Sequence, residues 1–341
     1  MLALSCLYLK WSKLVQEQRS RVVKLENTEK NYHHDVDYRT IIQETIIRKN
    51  RRRKIVNKVF TGITIACVAL ALTLLGSILL EVVKNGIAAI SIEFLTEPQG
   101  SIIRGDGGIG PAIQGTLLVV GYASIIGVPI GILAGVYLSE YAGNSKFAYA
   151  VRFFNNVMTG LPSIVVGIVG YILLVVTIGS FNITAGAVAL SIIMIPIVVG
   201  VTEATLRLVP NSVREAAHSL GVPKWKVTLF ITLKSAKNGV LTGIVLAISR
   251  IAGETAPLIM TVLGTSLFFQ GVVSPVDALP LRIWRLASQP YEHAHSFGWG
   301  AALILIIMVL SLSILLRFFV LEKRFKLGSS STWITNRLTR E

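Results

Sequence analysis

The chain has 341 residues, of which 52% are hydrophobic and only 15% are charged, and its mean hydropathy is +0.66. Soluble globular proteins carry about 25% charged residues, so this composition excludes an ordinary soluble enzyme and indicates an integral membrane protein. The formal net charge of +15 does not indicate nucleic-acid binding, because residues 1–54 alone hold 13 Lys or Arg against 6 Asp or Glu. Positive charge placed ahead of a first membrane span is typical of a cytoplasmic flank.

Residues 1–54 are therefore predicted to be a basic cytoplasmic extension, to which we assign no function. Six apolar segments follow, each long enough to cross a bilayer as a helix. The run 153–202 contains no charge, and we divide it at the turn-forming sequence Gly179-Ser-Phe-Asn182. The predicted spans are about 59–80, 112–138, 157–178, 183–201, 239–263 and 297–316. Together they define a six-helix domain over 55–325, followed by a cytoplasmic tail over 326–341.

The distribution of Lys and Arg predicts the orientation of these spans. Residues 48–58, 139–156, 203–237 and 317–326 share one side and hold 19 Lys or Arg, whereas the segments on the other side hold 4. Cytoplasmic loops carry the excess of Lys and Arg, so both termini are predicted to be cytoplasmic. The protein is expected to be a multi-pass protein of a bacterial or archaeal cell membrane.

Motifs for metal, nucleotide or disulfide chemistry are missing from the sequence. Cys6 and Cys67 are too few for a disulfide or metal framework, and no third and fourth ligand accompany His293 and His295. No Gly-x-x-x-x-Gly-Lys-Ser/Thr sequence occurs, so ATP is not expected to bind through a P-loop. We therefore expect a chain that is not an enzyme, with no metal site and no cofactor.

The loop between the fourth and fifth spans, residues 205–235, is predicted to form a helix pair. Val213, Ala216, Ala217 and Leu220 recur at the spacing of one helical face. The sequence from Gly221 to Pro223 ends the first helix and opens a second one, which carries apolar residues from Trp225 onwards. A short amphipathic pair at the membrane surface either rests on lipid or docks into a partner's groove.

The fifth span contains two charges of opposite sign, Arg250 and Glu254. A lone charge at the bilayer centre costs about 2.5–3.5 kcal/mol on insertion scales, so such residues are functional candidates by default. Four residues apart, they share one face of a helix and can pair. The alternative is an ion pair that only locks helices together.

The helix-pair loop resembles the cytoplasmic signature of the permeases of ABC importers, Glu-Ala-Ala-x3-Gly-x9-Ile-x-Leu-Pro. The matching positions are Glu215, Ala216, Ala217, Gly221, Ile231 and Leu233, whereas Lys234 stands where the family usually has Pro. The resemblance implies an all-α, six-span type I importer domain. It also implies that this loop is the coupling helix, which inserts into an ATPase subunit.

Three further stretches resemble the phosphate branch of this family and its A-type (PstA-like) subunit. They run from Gly107 to Leu117, from Gly160 to Gly167 and from Ser249 to Leu258. The resemblance implies a phosphate importer that contains this chain, a homologous C-type permease subunit, an ATPase dimer and a phosphate-binding protein, with ATP hydrolysed in the separate ATPase chain. The partners expected are these proteins, inorganic phosphate and membrane lipid, and no nucleic acid.

Local chemistry agrees with an anion pathway. The planar guanidinium of Arg250 suits phosphate oxygens, Glu254 can hold it when no anion is present, and Ser249 and Thr255 can add hydroxyl donors. We hypothesise that phosphate replaces Glu254 as the partner of Arg250 during passage. The alternatives are a permease for molybdate or sulfate, a C-type phosphate subunit, a stand-alone channel or secondary transporter, and a structural or assembly protein of the membrane.

Overall fold

A computed structural model describes residues 38–101, 106–143 and 145–328, and side chains from residue 53 to residue 318 within those ranges. Most of the predicted extension 1–54, and the predicted tail from residue 329, lie outside the described residues. The chain divides into two compact units, Met1–Leu75 and Gly76–Glu341. All packing described below lies within the second unit.

The described part is helical apart from loops and one isolated antiparallel bridge between Gln99 and Gly107. The helices in chain order are α1 (Tyr38–Ile87), α2 (Ile92–Thr96), α3 (Gly110–Tyr141), α4 (Lys146–Gly160), α5 (Ser163–Ile178), α6 (Ile183–Arg207), α7 (Asn211–Ser219), α8 (Lys224–Ala252), α9 (Ala256–Thr261), α10 (Leu279–Ala287) and α11 (Glu292–Gly328). A short π-helical stretch ends α3, and two others lie within the continuous helices α5 and α8.

Five of these helices are long and apolar enough to cross a membrane, and the bent pair of α4 and α5 makes a sixth segment. The five are Arg53–Ile87 within α1, α3, α6, α8 and Glu292–Phe318 within α11. Each contains or overlaps one predicted span. The predicted all-α membrane class and its six-segment organisation are therefore confirmed.

Helix α6 lies at the centre of the core and packs closely on both α3 and α8. Added Cβ atoms on Gly127, Gly131 and Gly135 of α3 would lie 2.6–3.2 Å from the nearest side-chain atoms of α6. An added Cβ on Gly243 of α8 would lie 2.2 Å from Val201 of α6. Small residues at such spacing let membrane helices approach closely.

The third span differs from the predicted straight helix 157–178. Helix α4 ends at Gly160, Leu161 and Pro162 are extended, and α5 begins at Ser163 after a bend of 102°. The residue before a proline is disfavoured in the helical conformation, which explains why the break falls at Leu161.

The fifth span also differs from the predicted continuous helix 239–263. Helix α8 ends at Ala252, residues 253–255 form a break, and Pro257 lies in the first turn of α9. Pro257 thus starts a new helix rather than bending a continuous one, because proline lacks the N–H that the first turn leaves unpaired.

Candidate functional site

The charged pair of the fifth span lines a small cavity at mid-depth in the bundle. The cavity has a volume of about 80 Å³ and lies where the break between α4 and α5 meets the middle of α6 and the end of α8. Its lining residues are Met158, Thr159, Leu161, Ser163, Val166, Ile192, Ile193, Ile197, Arg250 and Glu254. Six of the ten lining residues are apolar, and Arg250 and Glu254 are the two charged ones.

Arg250 and Glu254 form a loose ion pair. Arg250 Nε lies 3.7 Å from Glu254 Oε1, and the side chains are 53% and 18% exposed. A charge-assisted hydrogen bond between such groups is about 2.7–2.9 Å long, so this pair is attracted without being tightly bonded. Arg250 occupies the last turn of α8, where the helix dipole favours a cation. The guanidinium is therefore able to accept another anionic partner.

The broken third span adds a second source of positive potential to this cavity. Ser163 is the first residue of α5 and lines the cavity, so the amino-terminal end of α5 lies at the wall of the cavity. The first N–H groups of a helix have no partner within the helix, and this end carries the positive pole of the dipole. Interrupted membrane helices whose amino ends meet an anion are a recurring design in transporters.

Two of the three stretches that suggested the phosphate branch are brought together here. An added Cβ on Gly167 of α5 would lie 2.7 Å from the Cα atom of Pro257 in α9. One helical turn on, an added Cβ on Gly170 would lie 3.2 Å from Thr261. The stretches 160–167 and 249–258 thus form one packed unit beside the cavity.

The two predicted hydroxyl donors do not line this cavity. The Ser249 hydroxyl donates to the carbonyl of Val245 and lies 2.8 Å from the hydroxyl of Ser313 in α11. Thr255 lies in the break between α8 and α9 and is partly buried, outside the set of lining residues. The structure therefore brings together Arg250 and Glu254 but places Ser249 against a different helix.

The predicted helix pair is present as α7 and the start of α8. Gly221, at φ +77°, ends α7 in the left-handed conformation that favours glycine. Its N–H donates to the carbonyl of His218, and the Val222 N–H donates to the carbonyl of Ala217. These two bonds are the Schellman pattern that terminates a helix, and they turn the chain towards α8.

The six positions of the Glu-Ala-Ala signature have different surroundings. Ala217 is buried, whereas Ala216 is exposed. Ile231 is half-buried, and Leu233 packs against the cluster of Val136, Leu206, Val209, Ala236 and Val240. Glu215 lines a second, polar cavity of about 390 Å³ between α3, α6, α7 and α8. The predicted apolar face of α7 is only partly buried, since Val213 is 38% and Leu220 is 83% exposed.

Lys234 does not end the second helix of the pair. Helix α8 continues through it and runs for 29 residues from Lys224 to Ala252. Where the family usually has proline, this chain has a residue that keeps its N–H for the helix. The second half of the signature, with Ile231 and Leu233, therefore lies in the same helix as Arg250.

Sequence reasoning missed a buried ion pair between Asp277 and Arg282. The two side chains are 0% and 2% exposed, and Arg282 also donates to the carbonyl of Thr265 at 3.2 Å. Asp277 lies outside the five candidate spans, and its burial raises the pKa of its carboxyl while Arg282 and Arg285 oppose that shift. Opposite charges five residues apart were visible in the sequence, but their burial was not.

Sequence reasoning also missed two charged contacts at the opposite end of the bundle. Arg214 of α7 pairs with Glu140 of α3 at 2.8 Å, and Arg152 of α4 pairs with Glu203 of α6 at 2.7 Å. The partners are 74 and 51 residues apart in sequence, so no local spacing pointed to them. Among the described residues, no group of three or more His, Cys, Asp or Glu is placed to hold a metal ion.

Comparison with known proteins assigns this chain to a family. Residues 127–326 match the family described as binding-protein-dependent transport system inner membrane component. The phosphate transport system permease protein PstA of Yersinia pestis is 38% identical over 283 residues, which cover 83% of this chain and 96% of that protein. This chain belongs to the PstA-type permeases of ABC transporters. The resemblance inferred from the Glu215 and Arg250 motifs is thereby confirmed.

Other PstA-type relatives cover a similar share of the chain. PstA of Pasteurella multocida is 40% identical over 272 residues, covering 80% of this chain and 96% of the relative. A probable PstA of Methanocaldococcus jannaschii is 36% identical over 254 residues, covering 74% and 89%. The similarity thus spans bacterial and archaeal proteins.

Solved structures support the fold of this permease. A chain of a bacterial ABC transporter involved in the import of alginate has a TM-score of 0.57 at 15% identity, and the match covers 80% of this chain and 97% of that one. A chain of the MetNI methionine ABC transporter, in inward-facing conformations, has a TM-score of 0.50 at 18% identity, covering 64% and 94%. At these low sequence identities, the similarity concerns the fold alone.

Proposed function

We propose that this chain is the A-type permease subunit of an ATP-driven importer of inorganic phosphate. The observation that carries the proposal is the cavity where Arg250 meets the amino-terminal end of α5. Two positive features meet at this cavity, whose lining also offers the hydroxyls of Thr159 and Ser163, and an anion within a bilayer needs such partners. The PstA names of the relatives supply the identity of the anion.

In the proposed mechanism, phosphate takes the place of Glu254 beside Arg250. The 3.7 Å separation leaves the guanidinium attracted to Glu254 without a short bond to break. When phosphate leaves, Glu254 returns, so Arg250 is never left as an unpaired charge in an apolar surrounding. Arg250 and Glu254 therefore carry the proposal, while Ser249 and Thr255 are retained only as secondary donors in other conformations.

Energy for transport comes, in this proposal, from a dimer of ATPase subunits that binds the helix pair on the cytoplasmic side. The half-exposed Val213 and the exposed Leu220 of that pair are available to a partner's groove. A homologous C-type permease completes the pathway, and a phosphate-binding protein delivers the anion from outside. Both termini are cytoplasmic, in agreement with the distribution of Lys and Arg.

The test is phosphate uptake by the assembled importer that carries Arg250→Ala or Arg250→Lys. We expect Arg250→Ala to lower uptake at least about 10-fold, because a hydrogen bond to a charged group contributes about 1.5–3 kcal/mol. Arg250→Lys should retain part of the activity, because it keeps the charge but loses the planar fork. Lys146→Ala, which removes an exposed cation at the start of α4 that lines neither cavity, is the control and should transport normally.

Unchanged uptake by an assembled Arg250→Ala importer would show that the anion passes elsewhere. Selectivity is tested in the same vesicles by competition. Excess arsenate, which shares the shape and protonation of phosphate, should inhibit uptake, whereas molybdate and sulfate should not. Inhibition by molybdate or sulfate instead would assign the importer to another oxyanion.

A further inference from the structure

The ion pair between Arg214 and Glu140 joins the signature helix α7 to the end of α3. Arg214 donates to both carboxylate oxygens of Glu140, from Nη2 at 2.8 Å and from Nε at 3.2 Å. The side chains are only 18% and 7% exposed. A two-bond contact of this kind fixes orientation as well as distance, so α7 cannot rotate on α3 without breaking it.

Arg214 also binds the end of α6. Its guanidinium donates to the carbonyl of Leu206 at 2.8 Å and to the carbonyl of Val209 at 2.7 Å. These carbonyls belong to the last turn of α6 and to the residues just after it, where a helix leaves acceptors unpaired. One side chain therefore ties α7 to two core helices at once.

A second contact holds the same end of α3 to the other half of the helix pair. The Lys224 ammonium lies 4.9 Å from the ring centre of Tyr141, the residue after Glu140. Glu140 and Tyr141 lie in the π-helical turn that ends α3. The last turn of α3 is thus held by α7 through Arg214 and by α8 through Lys224.

Helix α3 extends from this turn into the core. Its glycines pack on Met194, Val198 and Thr202 of α6, in the part of α6 whose Ile193 and Ile197 line the Arg250 cavity. A displacement of α3 therefore acts on the helix that forms one wall of the candidate pathway, because close-packed interiors transmit small shifts.

We propose that Arg214 and Glu140 are a positioning pair that makes α3 move with α7, so that ATP hydrolysis is coupled to opening of the pathway. The pair does not touch the transported anion. This inference rests on the proposed coupling role of the helix pair, and it adds a specific joint between that pair and the core.

The experiment uses the complete importer in vesicles and measures phosphate transported per ATP hydrolysed. The variants are Arg214→Gln, Glu140→Gln, the double variant and the milder Arg214→Lys. Lys146→Gln is the control, because Lys146 is an exposed cation at the start of α4 that lines neither cavity.

We expect Arg214→Gln and Glu140→Gln each to lower the transport per ATP roughly fivefold while the ATPase still copurifies. The double variant should lose no more than either single variant, since partners in one contact are not additive. Arg214→Lys should lie between Arg214→Gln and the unmodified protein, and Lys146→Gln should match the unmodified protein. A purely structural contact would lower assembly or melting temperature and leave the ratio unchanged.

Three results would overturn the inference. They are an unchanged ratio in Arg214→Gln, losses that multiply in the double variant, and loss of the ATPase from all Arg214 and Glu140 variants, which would make the pair an assembly contact. Failure of the proposed function is a separate result. In that case the unmodified importer would not take up phosphate. The amount of anion transported per ATP hydrolysed could still be compared between the variants, with whichever anion the importer carries.

Discussion

Two arginines of this chain, Arg250 and Arg282, differ in how completely their charges are satisfied. Arg282 is 2% exposed and is bonded to Asp277 and to a backbone carbonyl. Arg250 is 53% exposed and lies 3.7 Å from its carboxylate. The first arrangement leaves Arg282 little freedom to take another anion, whereas the second leaves Arg250 partly open to one. The looser geometry of Arg250 and Glu254 therefore supports the proposed exchange with phosphate.

Removing one partner of the buried pair should destabilise the protein strongly. Asp277→Asn leaves Arg282 as a buried charge without its counterion, and breaking such pairs costs about 3–5 kcal/mol. The measurement is the melting temperature of the purified permease, which should fall clearly. Arg207→Ala, in an exposed pair worth at most about 1 kcal/mol, should melt close to the unmodified protein. Equal melting temperatures for the two variants would contradict this account.

At the scale of residues, the sequence was informative where a charge interrupts apolar surroundings. Arg250 and Glu254 stand out for that reason, and the structure places both at one cavity. Ser249 and Thr255 were chosen by proximity along the chain, but the rotation of α8 directs Ser249 towards Ser313. That rotation depends on how α8 packs on α6 and α11, which no local pattern encodes.

The helix pair of α7 and the start of α8 leads to a prediction for Glu215. This residue lines the polar cavity together with Arg207, Arg214 and Lys224. Glu215→Lys adds a positive charge to a region already rich in them, so we expect loss of ATPase binding or hydrolysis without phosphate transport. Both are measured on the purified complex, by copurification and by the ratio of transport to hydrolysis. Normal coupling in Glu215→Lys would make a docking role for this residue wrong.

The contact between α3 and α6 leads to a prediction for Gly131. An added Cβ there would lie 2.6 Å from the Cβ atom of Val198, so Gly131→Ala forces the helices apart and should destabilise by about 1–3 kcal/mol. Gly121→Ala is the matched control on the same helix, since nothing lies within 4 Å of its added Cβ. The melting temperatures of the two variants should differ clearly. A similar stability for both would show that α3 and α6 pack less tightly than described.

At the scale of elements, hydropathy located the apolar segments but not their breaks. Pro162 and Pro257 were visible signals, yet a proline in an apolar run either bends a helix or separates two helices. Here both stand at helix starts, next to Ser163 and Ala256. What decided between the alternatives is the packing of α5 against α9 at Gly167, a contact between segments 90 residues apart.

For the molecule as a whole, the distribution of Lys and Arg predicts which side each loop faces. Leu220 at the end of α7 is 83% exposed, and Val273 in the loop before α10 is 62% exposed. In a protein with Cys6 and Cys67 replaced by Ser, Val273→Cys should react with a membrane-impermeant maleimide in intact cells. Leu220→Cys should react only after permeabilisation. The reverse pattern would invert the proposed orientation.

The unbroken length of α8 has a mechanical consequence. Close contacts at Gly239 and Gly243 hold this helix against Thr205 and Val201 of α6. These contacts lie between the start of the helix, beside α7, and its end, which carries Arg250. At 1.5 Å of rise per residue, the arms on either side of this fulcrum measure roughly 20 Å towards Trp225 and roughly 10 Å towards Arg250. A tilt of about 10° would move the two ends in opposite directions, by roughly 4 Å and 2 Å. Such a tilt would make the helix a lever with unequal arms, and a larger movement beside α7 would become a smaller, reversed one beside Arg250.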